Sequence, residues 1–335
     1  MKRIFFLISH FSLIILLFAS CEKVLDIEDD PAAKQLVLNA VPRAGDTSFV
    51  YFAHTRFFLD TAADQPVGLV NMTLSINGIP YTPDSTSHSR YFFFHPLAGG
   101  DSVAIDVDAA GSHVHAHTYV PLMPDFSNVK IVKNFEMRTF RYYEAEFDFQ
   151  DHGGVDEYYN LRVMVRDSGI RFNEWKQRFD TVDTVHATYF LLRSNPAITG
   201  DASYSNPMMG YLYTRNFFND SEIDGQNYHV NLDILHLVDT NEVVDSVHTF
   251  KHEYSICLES ITYARLRYLI DVSRQGSSGG FFSEQGSVRG NVEGALGVFA
   301  GSAKSEVTFW PDTLPSVTTT AAPPPVIPPS LLPLR

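Results

Sequence analysis

Apolar and polar residues alternate through most of the chain from residue 35 onward. Alternation in short segments that are rich in β-branched and aromatic side chains is typical of half-buried strands. Early examples read L-V-L-N-A-V, S-F-V-Y-F-A and V-N-M-T-L-S-I-N-G, and the last of these ends in the turn pair Asn77-Gly78, which favours a hairpin. The pattern predicts about seven strands in roughly 90 residues, which is the spacing of a β-sandwich.

The chain is therefore predicted to be mainly β. Residues 35–122 are expected to form an N-terminal immunoglobulin- or transthyretin-like β-sandwich, and the segment P-L-M-P-D-F-S-N is expected to be a linker. Residues 128–310 are expected to form a second β-rich domain, in which Y-H-V-N-L-D-I-L-H-L alternates over ten residues. A Pro/Thr-rich tail at 311–335 is predicted to be disordered.

One segment changes period, because apolar residues between Ser260 and Arg274 approximate helical spacing. We predict a helix near 260–274, with Ser260 as its cap and Gly276 near its end. Arg265, Arg267 and Arg274 are expected on its polar side.

The N-terminal residues follow the pattern of an export signal. Lys2 and Arg3 precede a run from Ile4 to Ser20 that has no charged side chain and ends at Cys21. This layout is typical of a lipoprotein signal peptide covering residues 1–20, after which Cys21 becomes the lipidated first residue. An ordinary secretory signal with an incidental Cys21 is the alternative.

An acidic tether is predicted at 21–34, and its acidic residues resemble a surface-export signal of lipoproteins in the Bacteroidota. A solvated spacer is the alternative interpretation. We expect a protein anchored in the outer membrane by lipid on Cys21, with exposure at the cell surface left open.

Composition narrows the possible functional classes of the protein further. Asp and Glu outnumber Lys and Arg by 39 to 25, the net charge is −14, and no basic cluster is present, so we expect no nucleic-acid partner. The second cysteine, Cys257, lies in the apolar run Y-S-I-C-L, where we expect a small buried side chain and not a nucleophile. No catalytic residue, metal or cofactor is predicted.

The sharpest candidate for chemistry is the run H-V-H-A-H. On a strand, His113, His115 and His117 point to one face, and such imidazoles could bind zinc or copper. We favour a row of histidines that faces solvent. In the turn D-F-Q-D-H-G-G-V-D-E, carboxylates such as Asp151 and Glu157 could bind calcium, although a solvated turn is the default interpretation.

Two aromatic runs bear on a binding role. Tyr91 and Phe93 lie in one, and Phe217 and Phe218 in the other. These side chains are candidates for an exposed contact site for a partner or ligand. Burial on both faces of the strands is the alternative, and the sequence does not decide between them.

The Gly-rich run N-V-E-G-A-L-G-V-F-A-G (Asn291 to Gly301) lacks the ending of a phosphate-binding loop, so close strand packing explains its glycines better. The run resembles a segment near the end of domain-of-unknown-function family 4249, lipoproteins of the Bacteroidota. C-E-K-V-L-D, L-V-L-N-A-V, E-A-E-F-D-F-Q-D and F-N-D-S-E-I-D-G-Q-N-Y agree with that family in order.

The resemblance implies a role beside outer-membrane transporters of the TonB-dependent class and supplies no catalytic residue. We therefore expect a non-enzymatic binding or accessory component that works with such a transporter. A structural or adhesive envelope protein, and an envelope hydrolase with an unrecognised site, are the alternatives.

Overall fold

The structure, a computed structural model, describes residues 34–55, 67–109, 111–137, 140–173, 175–192, 215–237, 251–277 and 288–310. The predicted signal peptide, Cys21, almost all of the acidic tether and the Pro/Thr-rich tail lie outside these ranges. The described residues from Gln35 onward belong to one compact unit. Among them, no helix combines the length and the apolar character needed to cross a membrane.

The first part of this unit is a sandwich of eight strands. They are β1 (Leu36–Ala40), β2 (Ser48–His54), β3 (Val70–Ile76), β4 (Ile79–Tyr81), β5 (Ser85–Ser87), β6 (Arg90–Phe93), β7 (Ser102–Ala109) and β8 (Ser112–Tyr119). One sheet has the order β1-β2-β6-β5 and the other the order β4-β3-β7-β8. Asn77 and Gly78 have φ angles of 51° and 81° and form the predicted hairpin between β3 and β4.

The second part is also a sandwich. Its strands are β9 (Asp125–Met137), β10 (Phe140–Gln150), β11 (Tyr158–Asn173), β12 (Arg178–Ala187), β13 (Tyr189–Leu192), β14 (Asn216–Asn219), β15 (Asn227–Leu237), β16 (Lys251–Ile261) and β17 (Ser302–Phe309). One sheet has the order β13-β15-β10-β9 and the other the order β12-β11-β16-β17, with β14 also paired to β11.

Each sandwich encloses its own apolar core, which explains the alternation in the sequence. In the first, Leu38, Phe52 and Phe93 of one sheet meet Val107 and Val114 of the other. In the second, apolar residues of β10 and β15 meet those of β11 and β16. The prediction of a mainly β chain is confirmed, and the described residues include one helix. The domain boundaries at 122 and 128 stay a prediction.

The Gly-rich run returns to the first sandwich and pairs with both of its sheets. Leu38 and Ala40 of β1 donate backbone hydrogen bonds to Leu296 and Val298, at 2.8 and 2.9 Å. On the other side, the backbones of Glu293 and His115 of β8 exchange hydrogen bonds of 2.8 and 3.0 Å. Since β1 and β8 are edge strands, the run covers one edge of each sheet.

The glycines of this run are explained by the close approach of backbones, as predicted. Gly297 has a φ of +117°, and a Cβ placed on it would lie 2.0 Å from the carbonyl oxygen of Leu38. A Cβ on Gly301 would lie 1.8 Å from the carbonyl oxygen of Tyr119. Phe299, between them, is fully buried in the core of the first sandwich. Residues of the predicted second domain therefore complete the first core.

The helix α1 spans Tyr263–Ser277, so the predicted start is too early. Ser260 is not its cap, because β16 continues to Ile261 and Ser260 pairs with Tyr159 of β11. The first helical hydrogen bond runs from the Leu266 N–H to the carbonyl of Thr262. Leu266 and Ile270 of the helix pack with Phe217 and Ile261.

Candidate functional site

The predicted histidine row lies on the outer face of β8, as the alternation indicates. His113 and His117 are exposed and His115 is half-buried, whereas Val114 and Ala116 face the core. The Nδ1–H of His113 donates to Asp108 at 2.9 Å, and that of His115 donates to Asp106 at 2.8 Å. The bond to Asp108 raises the pKa of His113. These side chains pair with carboxylates, and the structure does not bring all three donors onto one point.

The four candidate contact aromatics are buried, which is the second of the two alternatives. Tyr91 and Phe93 face the first core, Phe218 faces the second core, and Phe217 faces the helix. The prediction that these residues form an exposed contact surface is therefore wrong. The exposed rings nearby are those of Phe94, which is 59% exposed, and Phe49.

The carboxylates of the candidate calcium-binding segment D-F-Q-D-H-G-G-V-D-E lie in two different surroundings. Asp148 accepts hydrogen bonds from Asn128 and His229, while Asp151 and Glu157 turn inward. The Tyr159 hydroxyl lies 2.5 Å from Asp151 and 2.6 Å from Glu157.

Asp220 and Asp224, from a later turn, join Asp151 in this acidic cluster. Burial raises the pKa of Asp220, and the neighbouring Asp151 adds to that rise, while a hydrogen bond from the Glu157 N–H opposes it. The Gly225 N–H also donates to Asp151, at 2.7 Å. Backbone and tyrosine donors thus occupy oxygens of this cluster.

A cleft of about 400 Å³ lies between the outer face of the β1-β2-β6-β5 sheet and the helix α1. We call it the arginine cleft, because three arginines line it, Arg43, Arg90 and Arg265. Phe49, Tyr51 and Tyr268 supply aromatic surface in the same cleft.

The alternation of the strands places these side chains. Phe49, Tyr51 and Arg90 occupy outward positions of β2 and β6, whose inward positions form the first core. The guanidinium of Arg90 lies 6.0 Å from the centre of the Phe49 ring, which is a cation–π contact. Arg43 pairs with Asp46 at 3.3 Å. The lining thus carries three positive charges and one negative charge.

The third arginine, Arg265, reaches the cleft from the helix, on whose polar side it was predicted to lie. Arg265 is only 14% exposed, and it pairs with the buried Glu259 at 3.4 Å. Glu259 also accepts hydrogen bonds from Asn160 and Arg162. Within the described residues, the Nε atoms of Arg265 and Arg162 have no hydrogen-bond partner.

The group of arginines around Glu259 is electrostatically unbalanced. Burial would raise the pKa of Glu259, but Arg265 and Arg162 together hold it below its usual value. Burial lowers the pKa of Arg265; Glu259 opposes this, and Arg43 and Arg162 reinforce it. Burial and Arg162 also lower the pKa of Arg215. Among the described residues, one carboxylate therefore faces several guanidiniums, and the excess positive charge lies beside the cleft.

A second polar group, which the sequence did not predict, lies at one end of the second sandwich. It consists of Asp167 on β11, His186 on β12, His236 on β15 and His252 on β16, and we call it the imidazole–carboxylate cluster. Asp167 and His252 are direct cross-strand partners, and the His252 Nδ1–H donates to Asp167 at 2.7 Å. Nδ1 of His236 lies 2.5 Å from the Tyr254 hydroxyl.

These four residues continue the inward positions of their strands. Val163, Val165 and then Asp167 face inward along β11, and Leu232, Ile234 and then His236 do so along β15. A polar residue that extends an apolar alternation was the available sequence signal. It could not show that these positions on four separate strands meet.

Cys257 is buried on β16, as predicted, and burial raises the pKa of its thiol to about 12. Cys21 lies outside the described residues, so its lipidation stays a prediction.

Comparison with known proteins gives one family. The profile of a family described as a domain of unknown function, DUF4249, matches residues 22–308, which is most of the chain. Comparison with curated proteins gives no match.

Proposed function

This chain belongs to the DUF4249 family, and on that premise we propose that it is a non-enzymatic binding protein, anchored in the outer membrane through lipid on Cys21. It works as an accessory component of a TonB-dependent transporter and holds its ligand in the arginine cleft. The charge and the shape of the arginine cleft support this ligand-binding role.

The observation that carries the proposal is the convergence of Arg43, Arg90 and Arg265 on one cleft, in whose lining Asp46 is the only carboxylate among the described residues. Guanidinium groups form paired hydrogen bonds with carboxylate and phosphate groups. Aromatic side chains beside them favour a ligand that also has an apolar part. The cleft therefore suits a small organic anion that carries a ring or a short chain.

Isothermal titration of the full-length protein in detergent tests the ligand class, with acetate, phenylacetate and inorganic phosphate as probes. We expect saturable binding of phenylacetate that is tighter than that of acetate, and weaker binding in R90Q. The matched control is R178Q, since Arg178 is exposed on β12 and pairs only with Asp180 among the described residues. Equal binding of phenylacetate by R90Q and the unaltered protein would show that the arginine cleft is not the ligand site.

Crosslinking in native membranes tests the partner. We expect a covalent complex with a β-barrel transporter of the TonB-dependent class, identified by mass spectrometry. A protein that stays monomeric under crosslinking contradicts this part of the proposal without affecting ligand binding.

One observation favours the hydrolase alternative, namely the partly buried imidazole–carboxylate cluster. Its residues do not line the arginine cleft. A purely adhesive protein would have no use for a charged cleft.

A further inference from the structure

Three side chains of the imidazole–carboxylate cluster bring possible metal-donor atoms close together. We propose that Asp167, His186 and His236 bind a single divalent transition-metal ion of the zinc class, with His252 and Tyr254 as positioning residues. The donor atoms of the three ligand residues all lie within 4.8 Å of one another. This site is independent of the arginine cleft and of the proposed function.

Strand register brings the ligands together. Val165 and His186 are direct partners between β11 and β12, so His186 lies diagonally across from Asp167 on the same face. His236 comes from β15, which belongs to the opposite sheet. The site therefore joins both sheets of the second sandwich at the end of its apolar core.

Two neighbouring side chains fix the donor atoms. In the tautomer whose Nδ1–H donates to the Tyr254 hydroxyl, Nε2 of His236 has a free lone pair and serves as the metal donor. His252 donates to Oδ1 of Asp167, which leaves Oδ2 available. Metal-bound histidines and carboxylates are held in this way by partners that do not touch the ion.

The donor set suits a transition-metal cation. One carboxylate and two imidazoles are ligands that zinc accepts, whereas calcium and magnesium prefer oxygen.

The fit requires a small adjustment. Nδ1 of His186 lies 3.6 Å from Oδ2 of Asp167, and ligands around a tetrahedral zinc ion are about 3.4 Å apart. His186 is 45% exposed on β12, which is an edge strand. Its side chain can therefore move toward the ion without disturbing the core, and solvent can supply a fourth ligand.

Titration of the full-length protein with Zn²⁺ tests the proposal, using protein purified without a polyhistidine tag and stripped with a chelator. We expect one Zn²⁺ per chain, a higher Tm with Zn²⁺, and the visible absorption of a tetrahedral site when Co²⁺ is used. The variant H186Q should raise the Kd for Zn²⁺ at least about tenfold. It alters an exposed side chain, so its Tm without metal should match that of the unaltered protein.

The matched control is H117Q, an exposed histidine on the first sandwich, which should bind Zn²⁺ as the unaltered protein does. D167N supplies a second test at nearly unchanged side-chain shape, and it should also weaken binding. The proposal is overturned if the unaltered protein takes up no stoichiometric Zn²⁺. It is equally overturned if H186Q and D167N, with native circular dichroism spectra, bind Zn²⁺ with unchanged affinity.

Discussion

The side-chain carbonyl of Asn39 accepts a hydrogen bond from the backbone N–H of Val298 at 3.0 Å, although 259 residues separate the two. Asn39 lies on β1, the edge strand that the Gly-rich run covers. Val298 lies between Gly297 and Phe299, so this bond fixes the position at which the run enters the first sandwich.

Gly297→Ala should destabilise the protein by on the order of 3 kcal/mol. A Cβ at this position would lie 2.0 Å from the Leu38 carbonyl oxygen, and the φ of +117° disfavours any side chain. The comparison is with Gly68→Ala, because a Cβ on Gly68 meets nothing within 4 Å. Urea unfolding of both variants measures the difference, and equal stabilities would show that β1 and the run do not approach closely.

Glu259→Gln should lower the free energy of unfolding by about 3–5 kcal/mol, since it leaves buried guanidiniums without their carboxylate. Glu306→Gln is the matched control, because Glu306 pairs with Lys304 at the surface and such a pair contributes about 1 kcal/mol or less. Chemical denaturation measures both. A similar loss for the two variants would contradict the buried network around Arg162 and Arg265.

The pKa of Glu259 also predicts an acid limit to stability. Its folded pKa lies below the unfolded value of about 4.3, so the stabilisation is complete above that value and is lost as the pH falls through the folded pKa. Asp220 has the opposite sign, because its folded pKa is raised and ionisation costs stability as the pH rises through it. Asp220→Asn should therefore raise the Tm at pH 7 and have less effect at pH 3. Thermal unfolding against pH checks both directions.

The Cys257 thiol should resist modification in the folded protein. With a pKa of about 12 and a buried position, it provides little thiolate at pH 8. In a Cys21→Ser background, a chromogenic disulfide reagent should react slowly under native conditions and with one equivalent in guanidinium chloride. Rapid reaction of the native protein would place Cys257 at the surface.

Cys21→Ser tests the predicted anchor. Without the thioether-linked lipid, the protein should leave the membrane fraction, while Cys257→Ser should remain there. Metabolic labelling with a fatty-acid analogue, followed by fractionation, measures this. Membrane retention of the Cys21→Ser variant would contradict lipid anchoring at that residue.

The strands of both sandwiches could be predicted from alternation, because each has one face in a core. The start of the helix could not, since Ser260 pairs within β16 and the change from strand to helix follows Ile261. Arg265 occupies a polar position in the sequence pattern, yet its side chain is buried because it pairs with Glu259 on the preceding strand. The two candidate sites depend on contacts between distant strands, which periodicity within one segment does not reveal.

The place of Phe299 in the first core has a consequence for the order of folding. A newly synthesised chain presents residues 35–122 long before residues 291–301, and until the latter arrive β1 and β8 keep unpaired backbone groups at their edges. Contacts so distant in sequence form slowly, and incomplete sheets are prone to wrong pairing. The sandwich that is made first therefore stays incomplete until residues 291–301 have been synthesised.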